Sequence, residues 1–121
     1  MNTYKYLLFD GDKVRNRVEL YLLEHELKKL SDFSLAIYNA IDLLKKISKE
    51  KLNAKIIYGA GDELFIYIDE NNYNVNQIKD MINCFRNKTN CTMSVGVGNS
   101  PDQAFINLRK AKSAKSSIVD K

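Results

Sequence analysis

The chain has 121 residues, enough for one domain with its own core and too few for two. Its net charge of +4, from 19 basic and 15 acidic residues, is too modest for the broad basic stripe of a DNA-binding surface, so no stable DNA binding is expected. No apolar run nears the roughly 20 residues that cross a bilayer and no signal-peptide pattern opens the sequence, so one cytoplasmic domain over 1–121 is expected.

Tyr4 to Asp10 reads as a short buried strand. Val14, Val18, Tyr21/Leu22, Leu27 and Leu30 then recur at helical spacing, which predicts one helix from Val14 to about Leu30. Ser31 or Asp32 is placed to cap a second helix, with Leu35, Ile37/Tyr38, Ile41, Leu43/Leu44 and Ile47 on its buried face. Ala54–Tyr58 and Leu64–Ile68 are rich in β-branched and aromatic residues, and Gly59-Ala60-Gly61-Asp62-Glu63 between them makes the pair a hairpin. Asn74 to about Asn87 is helical, with Val75, Ile78, Ile82 and Phe85 on one side, and Thr92–Val97 is a strand. Ser100 caps a last helix that has Pro101 at its first position and Ala104, Phe105, Leu108 and Ala111 turned inward. Ser116 to Lys121 is either frayed or a short final strand.

This order is a ferredoxin-like βαββαβ unit of the α+β class: an antiparallel sheet with helices on one face, plus one extra helix in the first crossover and one at the C-terminus. Cys84 and Cys91 are expected to be reduced core residues, and His25, between Glu24 and Glu26, a solvated surface residue. The Asn-x-Thr triplets at Asn87 and Asn90 carry no meaning without secretion.

Connectivity rules bring the acids together. A right-handed crossover sets the first two strands parallel with room for one between them, and the hairpin delivers the third strand into that gap. Asp10, at the end of the first strand, then lies beside the turn that carries Asp62 and Glu63, because neighbouring strands run about 4.8 Å apart. Carboxylates so crowded repel unless a metal ion or a proton relieves them, and among metals oxygen-only ligands favour Mg2+ or Mn2+ over zinc. Gly11 lets a backbone carbonyl approach a metal, and Gly61 lets a nucleotide lie close over the turn. Either acidic motif alone is ordinary turn chemistry; it is their meeting at one corner that points to a site.

Phe9-Asp10-Gly11-Asp12, the hairpin Ala60-Gly61-Asp62-Glu63-Leu64 and the ending Leu108-x-x-Ala111-Lys112 resemble the palm shared by GGDEF diguanylate cyclases and the type III CRISPR polymerase subunit. End to end, the chain is most similar to the minimal CRISPR polymerase family, free-standing palms understood to make cyclic nucleotides in bacterial antiphage defence. That resemblance implies two metal ions held by Asp10, Asp62 and Glu63, with Gly11 adding its carbonyl oxygen. It implies Lys112 on the triphosphate, helped by Arg15 or Lys115; Asp12 is left open as an acid behind the ligands or a cap for the next helix. It further implies a homodimer that pairs two sites, and a separate effector protein that reads the cyclic product.

The departures are informative. Ala60 and Leu64 replace the first glycine and the phenylalanine of GGDEF, both mildly. Counted without gaps, the positions that read guanine in diguanylate cyclases hold Val18 and Leu27, so ATP is favoured over GTP as substrate. No Arg-x-x-Asp precedes the hairpin, so product inhibition of the diguanylate-cyclase kind is not expected. Two other readings stay open: a nucleotide-hydrolysing palm of the archaeal GTP cyclohydrolase III kind, and a non-catalytic module that binds nucleotides or dimerises. A weaker one is an RNA-binding surface on the last helix, although Arg109 and Lys110 there read more simply as a solvated face.

Overall fold

A computed structural model describes residues 3–114 and 117–121. In chain order the elements are β1 (Tyr4–Gly11), α1 (Val14–Leu23), α2 (Leu27–Leu52), β2 (Lys55–Ala60), β3 (Glu63–Asp69), a 3-10 turn (Glu70–Asn72), α3 (Val75–Thr89), β4 (Met93–Gly98), α4 (Pro101–Ala114) and β5 (Ile118–Val119). The sheet order is β2-β3-β1-β4-β5. β3 lies between the parallel pair β1 and β2, in the gap expected for it, and β1 is antiparallel to both β3 and β4. Ile118 and Val119 run parallel to β4, so the short final strand is present.

Alternation along the strands decides the core. Leu7, Phe9, Leu64, Ile66, Ile68, Met93, Val95 and Val97 all face α2 and α3, where they meet Phe33, Ile37, Ile41, Leu44, Ile78, Met81 and Phe85. The intervening residues face the other way. There α4, the added C-terminal helix, covers β1 and β4 on the second face of the sheet, with Ala104 and Leu108 packed against Leu8. Two glycines let it come so close. A Cβ at Gly96 would stand 2.1 Å from the Ala104 carbonyl oxygen and 2.2 Å from the Leu108 nitrogen, and one at Gly98 would stand 2.5 Å from the Ala104 nitrogen. Asn107 is buried in the same seam, and its side-chain amide donates to the Val97 carbonyl at 2.6 Å.

Several local expectations need correction. The first helix stops at Leu23, not near Leu30, and Ser31 and Asp32 lie inside α2 instead of capping it. His25 takes the left-handed conformation (φ 58°), its N–H bonding the Leu22 carbonyl while that of Glu26 bonds the Tyr21 carbonyl. That pair of bonds is a Schellman closure with histidine where glycine is usual, so no glycine marks the break. The chain then folds back so that Tyr21 meets Phe33 edge-on at 6.0 Å and Arg17 lies over the same ring. Leu22 and Leu27, both part of the helical spacing, are exposed in consequence. On α2 the stripe rotates onto Phe33, Ile37, Ala40, Ile41, Leu44, Ser48 and Leu52, leaving Leu35 and Tyr38 in solvent. Phe105 is likewise half exposed, because Asn107 takes the inward position, and Val75 lies outside the buried face of α3. The remaining helix signals hold: the Ser100 hydroxyl accepts from the Gln103 N–H, and Asn74 caps α3 by accepting from Asn76 and Gln77. Both cysteines are free, Cys91 buried and Cys84 partly so.

Candidate active site

The hairpin is tighter than its five-residue signature suggests. Pairing runs to Ala60↔Glu63, so the turn itself is Gly61-Asp62, with Gly61 at φ +58°, a conformation that favours glycine over any side chain. Asp10 pairs directly with Glu63 across β1 and β3. The Gly11 N–H donates to the Asp62 carbonyl at 3.0 Å, which pins the turn to the end of β1. Added at Gly11, a Cβ would press on Val14, Phe85 and the Asp62 side chain, so the glycine also keeps this corner closed up. The three acids expected to meet are thus neighbours at one end of the sheet.

Burial first, and the charge of Asp62 second, push the Asp10 carboxyl up to about 6; the nearby Lys112 ammonium opposes both. Lys112 reaches over from α4. Its Nζ lies 3.2 Å from Asp10 Oδ2 and 2.9 Å from Asp12 Oδ1, and it donates to the Gly11 carbonyl at 3.4 Å. Asp12 also accepts from the Thr92 and Ser94 hydroxyls, each at 2.7 Å. Burial alone would raise its carboxyl, but these hydrogen bonds outweigh that and hold it below its ordinary value. Burial similarly disfavours the Lys112 ammonium, yet Asp12 and Asp10 leave it more tightly protonated than a free lysine. Asp12 does not cap α1, whose N-cap position is Lys13 without a side-chain bond.

Glu63 accepts from the Tyr58 hydroxyl at 3.2 Å. Burial, then the charge of Glu63, raises the Tyr58 phenol above its ordinary range. Arg15 is elsewhere: it pairs with Glu19 one turn along the exposed side of α1. Lys115 lies outside the described residues. Thr92, Ser94 and Tyr58 escaped the sequence reading. For the first two a signal existed, since polar residues alternate there with the wholly buried Met93 and Val95 in a strand beside β1.

On the helix side of the turn lies a cleft of about 900 Å³ between α1, α2 and the hairpin. Val14, Val18, Leu27 and Leu30 line it, Ser31 and Ser34 add hydroxyls, and Gly61 and Asp62 close one end. The two positions singled out for base reading, Val18 and Leu27, therefore border the same cleft as a site carboxylate.

The model of the minimal CRISPR polymerase domain matches residues 6–120 of this sequence. The chain belongs to that family. Among solved structures, the palm of this family member is similar to a chain of the Csm1-Csm4 cassette in complex with cA4, at 18% identity and a TM-score of 0.66 over 93% of this chain and 20% of that one. The adenylyl cyclase CyaB from P. aeruginosa is similar at 13% identity and a TM-score of 0.56, over 80% of this chain and 55% of that one. The active GGEEF domain of a diguanylate cyclase from Vibrio cholerae is similar at 13% identity and a TM-score of 0.55, over 95% and 80%. This minimal palm spans about a fifth of the first of these chains and about half of the second. At such identities the likeness is one of fold. No curated protein matches the chain.

The donor set suits a hard cation. Among the described residues no three His, Cys, Asp or Glu side chains close around a single point. The Lys112 ammonium nevertheless finds an all-oxygen setting in the Asp10 carboxylate, the Gly11 carbonyl and the Asp12 carboxylate. A corner with one or two carboxylates and a carbonyl fits Mg2+ or Mn2+ completed by water and phosphate oxygens, not an ion caged wholly by protein. No helix among the described residues is long and apolar enough to cross a membrane.

Proposed function

We propose that this palm is a metal-dependent nucleotidyltransferase that joins nucleoside triphosphates, ATP in preference to GTP, into a cyclic di- or oligonucleotide. The observation that carries the reading is the meeting of Asp10, Asp62 and Glu63 at one β-corner, with Lys112 paired to Asp10. Asp10, Asp62, Glu63 and the Gly11 carbonyl would hold Mg2+ or Mn2+, two ions per site, which when bound lower the pKa of a ribose hydroxyl and neutralise the leaving phosphates. The hydroxyl gives up its proton to solvent water, its oxygen bonds to the α-phosphorus of a second nucleotide, the bond from that phosphorus to the oxygen bridging the β-phosphate breaks, and pyrophosphate departs. Lys112, freed from Asp10 yet steadied by Asp12, binds triphosphate oxygens. Val18 and Leu27 put no polar side chain at the two positions matched to guanine reading, which supports the preference for ATP.

Ring closure needs two nucleotides face to face, and a homodimer that pairs two sites meets that need. Leu20, Leu22, Leu23 and Leu27, all exposed around the α1–α2 junction, offer apolar surface for it. The cyclic product would act as a second messenger read by a separate effector in antiphage defence. To test the reading, purified protein is incubated with each NTP and Mg2+ or Mn2+, and the products are weighed by mass spectrometry. A cyclic nucleotide with pyrophosphate is expected, and Asp62→Ala should lower its formation at least 1,000-fold with the circular dichroism spectrum unchanged. Orthophosphate or a ring-opened base would point to a hydrolase, and calorimetric binding without turnover to a sensor.

A further inference from the structure

The sheet face that bears Asp10 and Glu63 is only half covered. α4 lies over β1 and β4, while β2, β3 and the start of β1 show this face a continuous group of rings. Tyr4 meets Tyr67 edge-on at 5.4 Å, Tyr67 meets Tyr6 at 5.9 Å, Tyr6 meets Phe65 at 6.4 Å and Phe65 meets Tyr58 at 5.8 Å. The group ends at the site, because the Tyr58 hydroxyl donates to Glu63. Tyr4 is 40% exposed and Tyr58 42%. Lys55, exposed and paired in register with Tyr67, puts a cation at the far end. A solvent-facing side of an antiparallel sheet is ordinarily polar, so a group of rings there calls for an occupant.

Position identifies that occupant. Nucleotidyl transfer needs two nucleotides, and the apolar cleft beside Asp62 lies on the helix side of the turn, where it can take one base. The other nucleotide must come to Asp10 and Glu63 from the face into which they project, and that face is the aromatic one. A protein laid flat on the rings would also close over both carboxylates and shut out substrate. Every nucleobase has a π-face that stacks on tyrosine or phenylalanine, and a lysine suits the phosphate that follows. We propose that Tyr58, Phe65, Tyr6, Tyr67 and Tyr4 form a stacking platform for the base of the acceptor nucleotide and of the short chain it becomes. The proposal rests on the nucleotidyltransferase reading for its role, though not for its binding.

The test is therefore made without turnover. In EDTA, the dinucleoside monophosphate ApA is titrated into the protein and followed by calorimetry and by quenching of tyrosine fluorescence, which no tryptophan obscures. Wild type should bind. Tyr58→Leu should weaken binding about tenfold, the worth of one stacked base, while Tyr58→Phe, which keeps the ring, should not. Tyr4→Leu at the other end should weaken a longer oligoadenylate more than ApA. No binding by wild type, equal binding by Tyr58→Leu, or a self-association in sedimentation that Tyr58→Leu and Tyr4→Leu abolish would overturn the platform. ApA binding by a protein that makes no product from any NTP would sink the catalytic reading and leave the platform standing.

Discussion

At Asp10 the chain accepts an electrostatic cost that Lys112 offsets only in part. Its carboxyl, pushed from 3.8 to about 6 by burial and by Asp62, keeps its proton more tightly in the folded chain than in the unfolded one. The stability tied to that proton is fully present below about pH 4 and is lost as pH climbs from 4 to 6. Asp10→Asn, neutral throughout, should therefore be more stable than wild type by about 1–2 kcal/mol at pH 7.5 and about equal to it at pH 4. Urea denaturation of both proteins across that range checks the sign; a gap that does not open with pH would show that Asp10 is not the source. The acids themselves were legible in the sequence because each sits in a motif with its own turn chemistry. For Thr92 and Ser94 the sequence marked only a polar alternation; their role is a hydroxyl aimed at Asp12 some 80 positions earlier, which only the fold reveals.

Among the elements, the seam between β4 and α4 is the least forgiving. The atoms that a Cβ at Gly96 would strike belong to the α4 backbone, which has no rotamer to change. Gly96→Ala should thus lift α4 off the sheet, costing about 3 kcal/mol or more, and it should move Lys112 with the helix. Equilibrium unfolding gives the cost, and a loss of nucleotide affinity beyond that of a surface control gives the displacement. The α1–α2 break shows the opposite case, where periodicity misled. Val14, Val18 and Tyr21 do pack on the core, and Leu27 and Leu30 continue their spacing, so the pattern runs straight through a turn that no glycine or proline announces. His25 can sit there because a Schellman closure demands only a left-handed residue, which histidine adopts more readily than most.

For the whole molecule, the proposed site implies that ligand binding and folding are linked. Mn2+ with a non-hydrolysable ATP analogue at about 100 times its Kd should add roughly 2.7 kcal/mol, or a Tm rise on the order of 10 °C for a domain of this size. Differential scanning calorimetry reads this directly; the same rise in Asp62→Ala would place the metal elsewhere. By itself the sequence determined the order of elements, the βαββαβ topology and the corner where the acids converge. It could do so because turn residues, alternation and the handedness of crossovers are local or general rules. Tertiary structure alone decided that α4 covers the second face, that Lys112 bridges Asp10 and Asp12, and that a partly exposed aromatic surface adjoins the carboxylates. Those depend on how side chains far apart in sequence point once the sheet is built, and no local period encodes that direction.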